Sequence, residues 1–364
     1  MMKILLFTLA AVVLVSGCTQ QEQPTFRVGI IESLSGNAAY YGEQNLKGVE
    51  IAKEVIAEKY PWLKIEIVHE DSKYTAQGGV EAYRKLQDVQ YIDAVITHAS
   101  PVSLAIQPLA RQDGILQMAV SASARTYSSP DDLSFRVSPT TDIEAETISD
   151  FLLSKNFSRL SILYMNNDIG LSVTNSVKEK LNQKNPEISI VTEDTFALDN
   201  TDFRTQLLKA REKNPDAIFV PSLASHIALI LRQAKEINLD VQFLGFRASE
   251  DPVLLNAGEL AEGFVYSYGF DPSGESGEIK TFSETFKGKY GVKPDGYAAE
   301  GYEGLRLVAS AFDSCDKNYT CIQAYLQNLR NYSSVFGSLS FDENGDVYYQ
   351  FFIKKVANGE FVRY

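Results

Sequence analysis

The sequence predicts an α/β fold made of two doubly wound parallel-sheet lobes. Three observations carry that prediction. Between residues 26 and 123, short apolar runs alternate with stretches whose apolar residues recur at helical spacing, the pattern of a parallel sheet covered by helices on both faces. A second alternating set follows between residues 144 and 244, a structural echo of the first without a sequence repeat. The chain has 364 residues, 45% of them hydrophobic, which is enough for two separate cores.

The first set opens with the strand Phe26–Leu34 (FRVGIIESL) and a Ser35-Gly36-Asn37 turn. A helix then starts near Tyr41-Gly42, carries Val49, Ile51, Ala52, Val55 and Ile56 on one face, and ends near Tyr60-Pro61. Leu63–His69 is the second strand and Ala76–Val89 the second helix. The stretch from Asp93 to Ser123 organises the rest. Asp93–His98 and Ile115–Val120 are apolar runs, and between them Leu104, Ile106, Leu109 and Ala110 form one helical face. A strand–helix–strand unit of this length implies parallel strands joined by a right-handed crossover. Two polar loops, Ala99–Ser100 and Ser121–Ala122–Ser123, then leave the carboxyl edge of one sheet, where open α/β sheets bind ligands. Ser100 followed by Pro101 is also a helix start, with an N-cap hydroxyl and then proline at the first helical position. The free N–H groups of that turn suit a carboxylate or phosphate. From the spacing alone, Ser100 capping its own helix is the simpler reading.

Phe135–Pro139 interrupts the rhythm. The second set has a helix at Glu144–Leu153, strand cores at Leu160–Tyr164, Ile188–Val191, Ala217–Val220 and Val241–Leu244, and helices near Leu171–Leu181, Phe203–Lys213 and Ile227–Ile237. After an apolar run at Phe264–Phe270, the loop DPSGESG looks like a crossing between lobes. Helices follow at Ile279–Tyr290, Ala298–Phe312 and Ile322–Leu329. The tail, Val335–Tyr364, carries Asp342-Glu343-Asn344-Gly345 between apolar-aromatic runs, a hairpin signal.

At the N-terminus, Lys3 precedes the apolar run Ile4–Val15, which is too short to span a bilayer. Val15-Ser16-Gly17-Cys18 looks like a lipobox, with Cys18 lipidated as the new N-terminus and a polar TQQEQPT after it. Residues 1–17 thus read as a lipoprotein signal peptide and 18–25 as a tether; ordinary secretion with cleavage nearby is the alternative. No other stretch reaches about 18 continuous apolar residues, so the expectation is an extracytoplasmic protein held to the membrane by lipid only. The formal net charge is −13, one unit more negative once Lys3 leaves. With a pI near 4.9, this argues against nucleic-acid binding, which needs a basic face. Apart from Cys18, the cysteines are Cys315 and Cys321. An even count outside the cell points to a disulfide, two free thiols at a helix–loop junction being the alternative. Asn156, Asn318 and Asn331 head glycosylation acceptor triplets, a pattern that arises often by chance.

No catalytic arrangement stands out. His69, His98 and His226 lie in separate units, and only His98 falls near the proposed ligand edge, as a rim or packed residue rather than a base. There is no Cys/His metal spacing, Gly-rich phosphate loop or nucleophile elbow, so neither cofactor nor metal is expected.

The lipobox, the start FRVGIIESLSG with YYGEQNLKGVEIA, the segment SPVSLAIQPLARQDGI and the block LRQAKEINLDVQFLG resemble the branched-chain amino-acid-binding (Leu/Ile/Val-type) family, type I periplasmic solute-binding proteins of ABC importers. The resemblance covers essentially the whole mature chain and is more specific for family than for ligand. It implies two lobes joined by a three-crossing hinge near Pro139, Phe270 and Gly337. Lobe one is then 26–140 plus 271–337, and lobe two 141–270 plus 338–364. It also implies that hydroxyls and backbone N–H groups at Ser100, Ala122 and Ser123 hold a ligand carboxylate, at the edge already reached from the spacing, and that Tyr41 lines the pocket.

The departures bear on the ligand. Where the family's second lobe supplies an acid for the α-amino group, an ungapped match places Arg247, and Ile169 and Leu223 stand where aromatic residues are common. The carboxylate clamp is kept and the amino-group clamp lost or inverted. A three-residue gap would instead bring Glu250 to the acidic position and restore an amino-acid site; Arg247 could also face outward or pair with Glu250 or Asp251. The resemblance therefore implies a monomeric substrate-binding lipoprotein for a small carboxylate-bearing solute, an amino acid or organic acid, partnered by ABC permease and ATPase subunits. The alternative is a sensor or regulator of an amide or urea-type ligand; a cleft hydrolase ranks last.

Overall fold

The computed structural model describes residues 25–130, 132–274 and 277–364. The signal segment, Cys18 and the tether up to Pro24 lie outside the described residues. The first lobe runs β1 (Thr25–Glu32), α1 (Ala39–Lys59), β2 (Lys64–Asp71), α2 (Ala76–Lys85), β3 (Ala94–His98), α3 (Ser100–Asp113), β4 (Leu116–Val120) and β5 (Ser134–Arg136). These strands form one parallel sheet in the order β2-β1-β3-β4-β5. Every residue of β3 and β4 is buried, which is why both read as unbroken apolar runs. β5 lies within the stretch that interrupts the sequence rhythm; three residues are too few to show a period. Beyond α2 the chain widens into one π turn over Leu86–Gln90, which ends at Tyr91 with φ 54°.

The second lobe continues with α4 (Thr141–Ser154), β6 (Arg159–Met165), α5 (Asp168–Lys184), β7 (Ser189–Phe196), α6 (Arg204–Glu212), β8 (Ala217–Phe219), α7 (Ala224–Glu236), β9 (Gln242–Gly245), α8 (Pro252–Leu255) and β10 (Val265–Tyr268). Its parallel strands are ordered β10-β9-β8-β6-β7, the same winding as the first sheet. The chain then returns to the first lobe with α9 (Gly277–Tyr290), α10 (Gly296–Cys315), α11 (Tyr319–Gln327) and the hairpin β11 (Tyr332–Ser334) and β12 (Gly337–Leu339). Finally β13 (Phe352–Ala357) and β14 (Glu360–Arg363) add an antiparallel edge to the second sheet.

Two expectations for the tail are corrected. The Asp342–Gly345 turn joins only the single bridge Phe341–Val347, and the longer hairpin is β13–β14. Its turn, Asn358-Gly359, has φ of 55° and 71°, the left-handed pair that suits a two-residue hairpin. The third crossing is not at Gly337, which sits in the β11–β12 hairpin on the first lobe. Residues 341–349 stay there too: Arg136 N–H donates to Gly345 O at 3.1 Å, and Phe135 and Phe341 rings meet at 5.1 Å. The chain leaves only after Tyr349.

α1 and α10 pack backbone to backbone. A Cβ on Gly48 would stand 1.9 Å from Ala298 O, and one on Gly301 would stand 2.2 Å from Asn45 O. Glycine is required at both positions, and the contact aims the N-terminal ends of both helices at the space between the lobes. Phe26 stacks on Phe312 at 4.4 Å and pins the far end of α10 to β1. Among the described residues no helix is long and apolar enough to cross a membrane.

Cys315 and Cys321 are disulfide-bonded, with Cα atoms 5.5 Å apart, and join the end of α10 to α11. Replacing both by serine is expected to lower stability by about 2 kcal/mol through the freed loop entropy. Urea unfolding of the oxidised protein and the double variant checks this; equal midpoints would refute it.

Candidate functional site in the cleft between the lobes

In a sheet wound in this order the crevice lies outside the carboxyl ends of the strands where the winding reverses. On the first lobe that is between β1 and β3; on the second it is between β6 and β8. The two crevices face one another and enclose a cavity of about 20 Å³ of space for water centres, room for roughly one water. The first lobe lines it with Tyr41, Tyr74, His98, Ala99, Ser121, Ser123 and Tyr297; the second contributes Ile169, Leu223, Phe246, Arg247 and Ala248. The N-termini of α3, α5, α7 and α10 end at or beside this lining, and their free N–H groups and dipoles favour a negative group there. Ala99 (φ 73°) and Ser121 (φ 54°) sit in the left-handed region at the ends of β3 and β4. Such strain persists only where surrounding structure enforces it.

Arg247 lies in the loop after β9. Its backbone N–H donates to Glu144 Oε1 at 2.8 Å, and Ser267 Oγ donates to the same oxygen at 2.5 Å. The guanidinium reaches across the cleft: Nη2 donates to Glu300 Oε1 at 2.6 Å, while Nη1 is 3.5 Å from Ser123 Oγ. It lies over the Tyr297 ring, 5.6 Å from its centre. Glu300, on α10, also accepts from Ser121 Oγ (2.6 Å), Ser138 Oγ (2.8 Å) and the Tyr349 hydroxyl (3.0 Å). Burial alone would raise its pKa, but Arg247 and the hydroxyls hold the carboxyl below its ordinary value, so it is ionised.

Tyr41 is the second link between the lobes. Its hydroxyl donates to Ala248 O at 2.8 Å and accepts from Ala224 N–H at 3.1 Å. Ile169 and Leu223 give the second lobe an apolar wall. Ser123 borders the cavity, whereas Ser100 and Ala122 lie behind it. α3 begins at Ser100 itself, so the capping position is Ala99 and the Ser100 side chain makes no cap. Its hydroxyl instead accepts from Ala124 N–H at 3.1 Å and ties the two polar loops together. Ala122 O accepts from Arg136 Nη1 at 3.1 Å; that buried guanidinium also holds Ala124 O at 2.8 Å and pairs with Asp346 at 2.6 Å. Glu250 is turned away, paired with Lys354 at 2.5 Å and accepting from Tyr266 at 2.5 Å. Asp251 caps α8 through Val253 N–H. The partner of Arg247 is therefore neither of these acids.

His98 is fully buried, with Nδ1 3.2 Å from Ser33 Oγ and 3.5 Å from Glu32 Oε2. Burial pushes its pKa down to about 3, so it is neutral and a weak base. The structure thus forms Ser–His pairs that the sequence did not reveal, here and at Ser222–His226 (2.8 Å). The second is also buried, with its imidazole Nε2 donating to Leu198 O at 2.8 Å. Burial lowers the pKa of both imidazoles below the ordinary value. Among the described residues no group of three or more His, Cys, Asp or Glu could hold a metal ion. Glu300, Tyr74, Phe246 and Tyr297 escaped the sequence reading. The signal for Glu300 was present: an acid among Ala, Gly and Tyr on a helix whose residues are buried from Gly296 to Phe312.

Burial raises the Glu144 pKa from the ordinary 4.5 to about 7, partly opposed by Arg247. Between these values the folded protein binds more protons than the unfolded chain, so the Glu144 contribution to stability falls as pH rises through that window. Glu144→Gln keeps the acceptor at Oε1, and Oε2 has no hydrogen-bond partner to lose. The variant is expected to gain about 2–3 kcal/mol relative to wild type between about pH 4 and pH 8. Thermal unfolding across that range checks it; parallel pH profiles would refute it.

A sequence profile of the periplasmic binding protein family matches residues 25–360. The Leu/Ile/Val-binding protein of Escherichia coli strain K12 is 25% identical over 333 residues, covering 88% of each chain. The leucine binding protein LivK of Thermotoga maritima superposes with a TM-score of 0.87 at 23% identity, covering 93% of this chain and 97% of that one. A solute-binding protein of an ABC transporter from R. palustris, solved in complex with benzoate, superposes with a TM-score of 0.85 at 19% identity, covering 93% and 95%. With two lobes wound alike around a shared cleft and a profile match along nearly the whole chain, the protein belongs to the periplasmic binding protein family and has the type I fold of its Leu/Ile/Val-binding members.

Proposed function

We propose that this chain is the extracytoplasmic, lipid-anchored receptor of an ABC importer and that its cleft takes a small apolar or aromatic carboxylate. One observation carries the ligand class: Arg247 is the formally charged side chain in the described cavity lining, and no carboxylate lines it. An α-ammonium group there would meet a like charge in a poorly solvated space, whereas a carboxylate meets a guanidinium edge, Ser123 and the ends of four helices. Tyr41, Tyr74, Tyr297 and Phe246 supply aromatic walls, and the benzoate complex of a structural relative supports the same class. Uptake requires the lobes to part. Ligand then favours the closed form only through its greater affinity for closed than for open. The permease and ATPase subunits are the expected partners and the working unit is a monomer. A neutral amide is the second reading, favoured because the Arg247 charge is already matched by Glu300.

Titration calorimetry with leucine, its deaminated acid, benzoate and benzamide tests the reading. Carboxylates are expected to bind more tightly than leucine, and Arg247→Met is expected to weaken them by about 2–5 kcal/mol. Tight binding of leucine untouched by that substitution would overturn it; preference for benzamide would favour the amide. The anchor is tested separately. Cys18→Ser is expected to move the protein from the membrane fraction to the soluble fraction without unfolding it, and a variant that still pellets with membranes would refute the anchor.

A further inference from the structure

We propose that Glu300 is a specificity-determining positioning residue, a counter-ion built into the first lobe that captures Arg247 as the lobes meet and limits the negative charge a ligand can bring. The inference rests on the reading that Arg247 faces the ligand.

Glu300 is in place before Arg247 arrives. Its three hydroxyl donors, Ser121, Ser138 and Tyr349, come from the loop after β4 and from the first and third crossings. Its helix is set against α1 by the Gly48 and Gly301 contacts. Arg247 belongs to the second lobe, so the 2.6 Å ion pair exists only while the cleft is closed. The other buried carboxyls nearby, Glu32 and Glu144, favour the neutral form, Glu32 through burial and then the Glu300 charge, Glu144 through burial. Glu300 is the one held ionised.

The pair divides the guanidinium. Nη2 is committed to Glu300, while Nη1 lies 3.5 Å from the hydroxyl of Ser123, which borders the cavity. A ligand carboxylate on Nη1 shares one cation with a second, fixed anion a few ångströms away. At that range in a partly shielded interior, the repulsion is worth on the order of tenfold or more in affinity. A neutral isostere does not feel it. Glu300 therefore acts through Arg247, without touching ligand.

The test compares wild type with Glu300→Gln, which keeps the shape and removes the charge. Calorimetry measures the ratio of benzamide to benzoate dissociation constants, and small-angle X-ray scattering measures the ligand-free radius of gyration. The ratio is expected to rise about tenfold or more in the variant, and the variant is expected to be more expanded without ligand. Arg247→Gln, which breaks the pair from the other lobe, is expected to expand the protein equally, and it carries the scattering test if Glu300→Gln fails to fold by circular dichroism. An unchanged ratio, or equal radii, overturns the proposal. If wild type binds none of the carboxylates or amides, the ligand reading fails, and scattering alone then decides whether Glu300 captures Arg247.

Discussion

Burying a guanidinium removes it from water at a cost that only near-complete matching offsets. The Arg247 side chain, at the join of the lobes, meets that condition with Glu300 on Nη2, Tyr297 beneath its plane and Ser123 near Nη1. Most of what surrounds the cleft follows from this. Glu300 needs three hydroxyls to use its remaining lone pairs, which recruits the loop after β4 and the first and third crossings. The Arg247 loop needs its backbone fixed, which recruits Glu144 and Ser267 from the second lobe. Tyr41 is the neutral counterpart, one hydroxyl bonded to two backbone groups of the facing lobe.

That arrangement depends on a backbone constraint laid down earlier. Both sheets have the same strand order, so both present their reversal point to the cleft, and helices starting there aim unpaired N–H groups at one small volume. Left-handed residues at Ala99 and Ser121 turn the chain sharply out of β3 and β4. Arg136 then clamps the resulting loop through the Ala122 and Ala124 carbonyls and ties it to Asp346 on the segment leading into the third crossing. The loop after β4 and the segment leading into the third crossing are thereby parts of one hydrogen-bonded body.

Apart from Glu300, which Arg247 and its hydroxyl donors hold ionised against burial, the charge states around the cleft are set by burial more than by neighbours. His98 is held neutral and Glu32 and Glu144 are raised, each with loss of solvation as the largest influence. The cleft thus holds one ionised pair, Arg247 with Glu300, beside a neutral His98 and two carboxyls whose pKa burial raises.

Much of this protein was legible in its sequence. Alternating apolar runs and amphipathic stretches are local consequences of strand and helix geometry, so the two lobes, most of their elements and the sheet edge that borders the cavity could be read directly. Residues that meet the cavity at strand ends, such as His98 and Ser123, could be located because topology assigns that edge. Local pattern could not say that Ser100 would bond to Ala124 instead of capping α3, nor that the last crossing would wait until after Tyr349, because each depends on which distant backbone lies nearby. Above all, the partner of Arg247 was open. Sequence proximity suggested Glu250 or Asp251, but Glu250 is taken by Lys354, and Glu300 lies on another lobe 53 residues away. A buried charge takes whichever counter-ion the packing of helices brings within reach, and that packing, through Gly48 and Gly301, exists only in the folded chain.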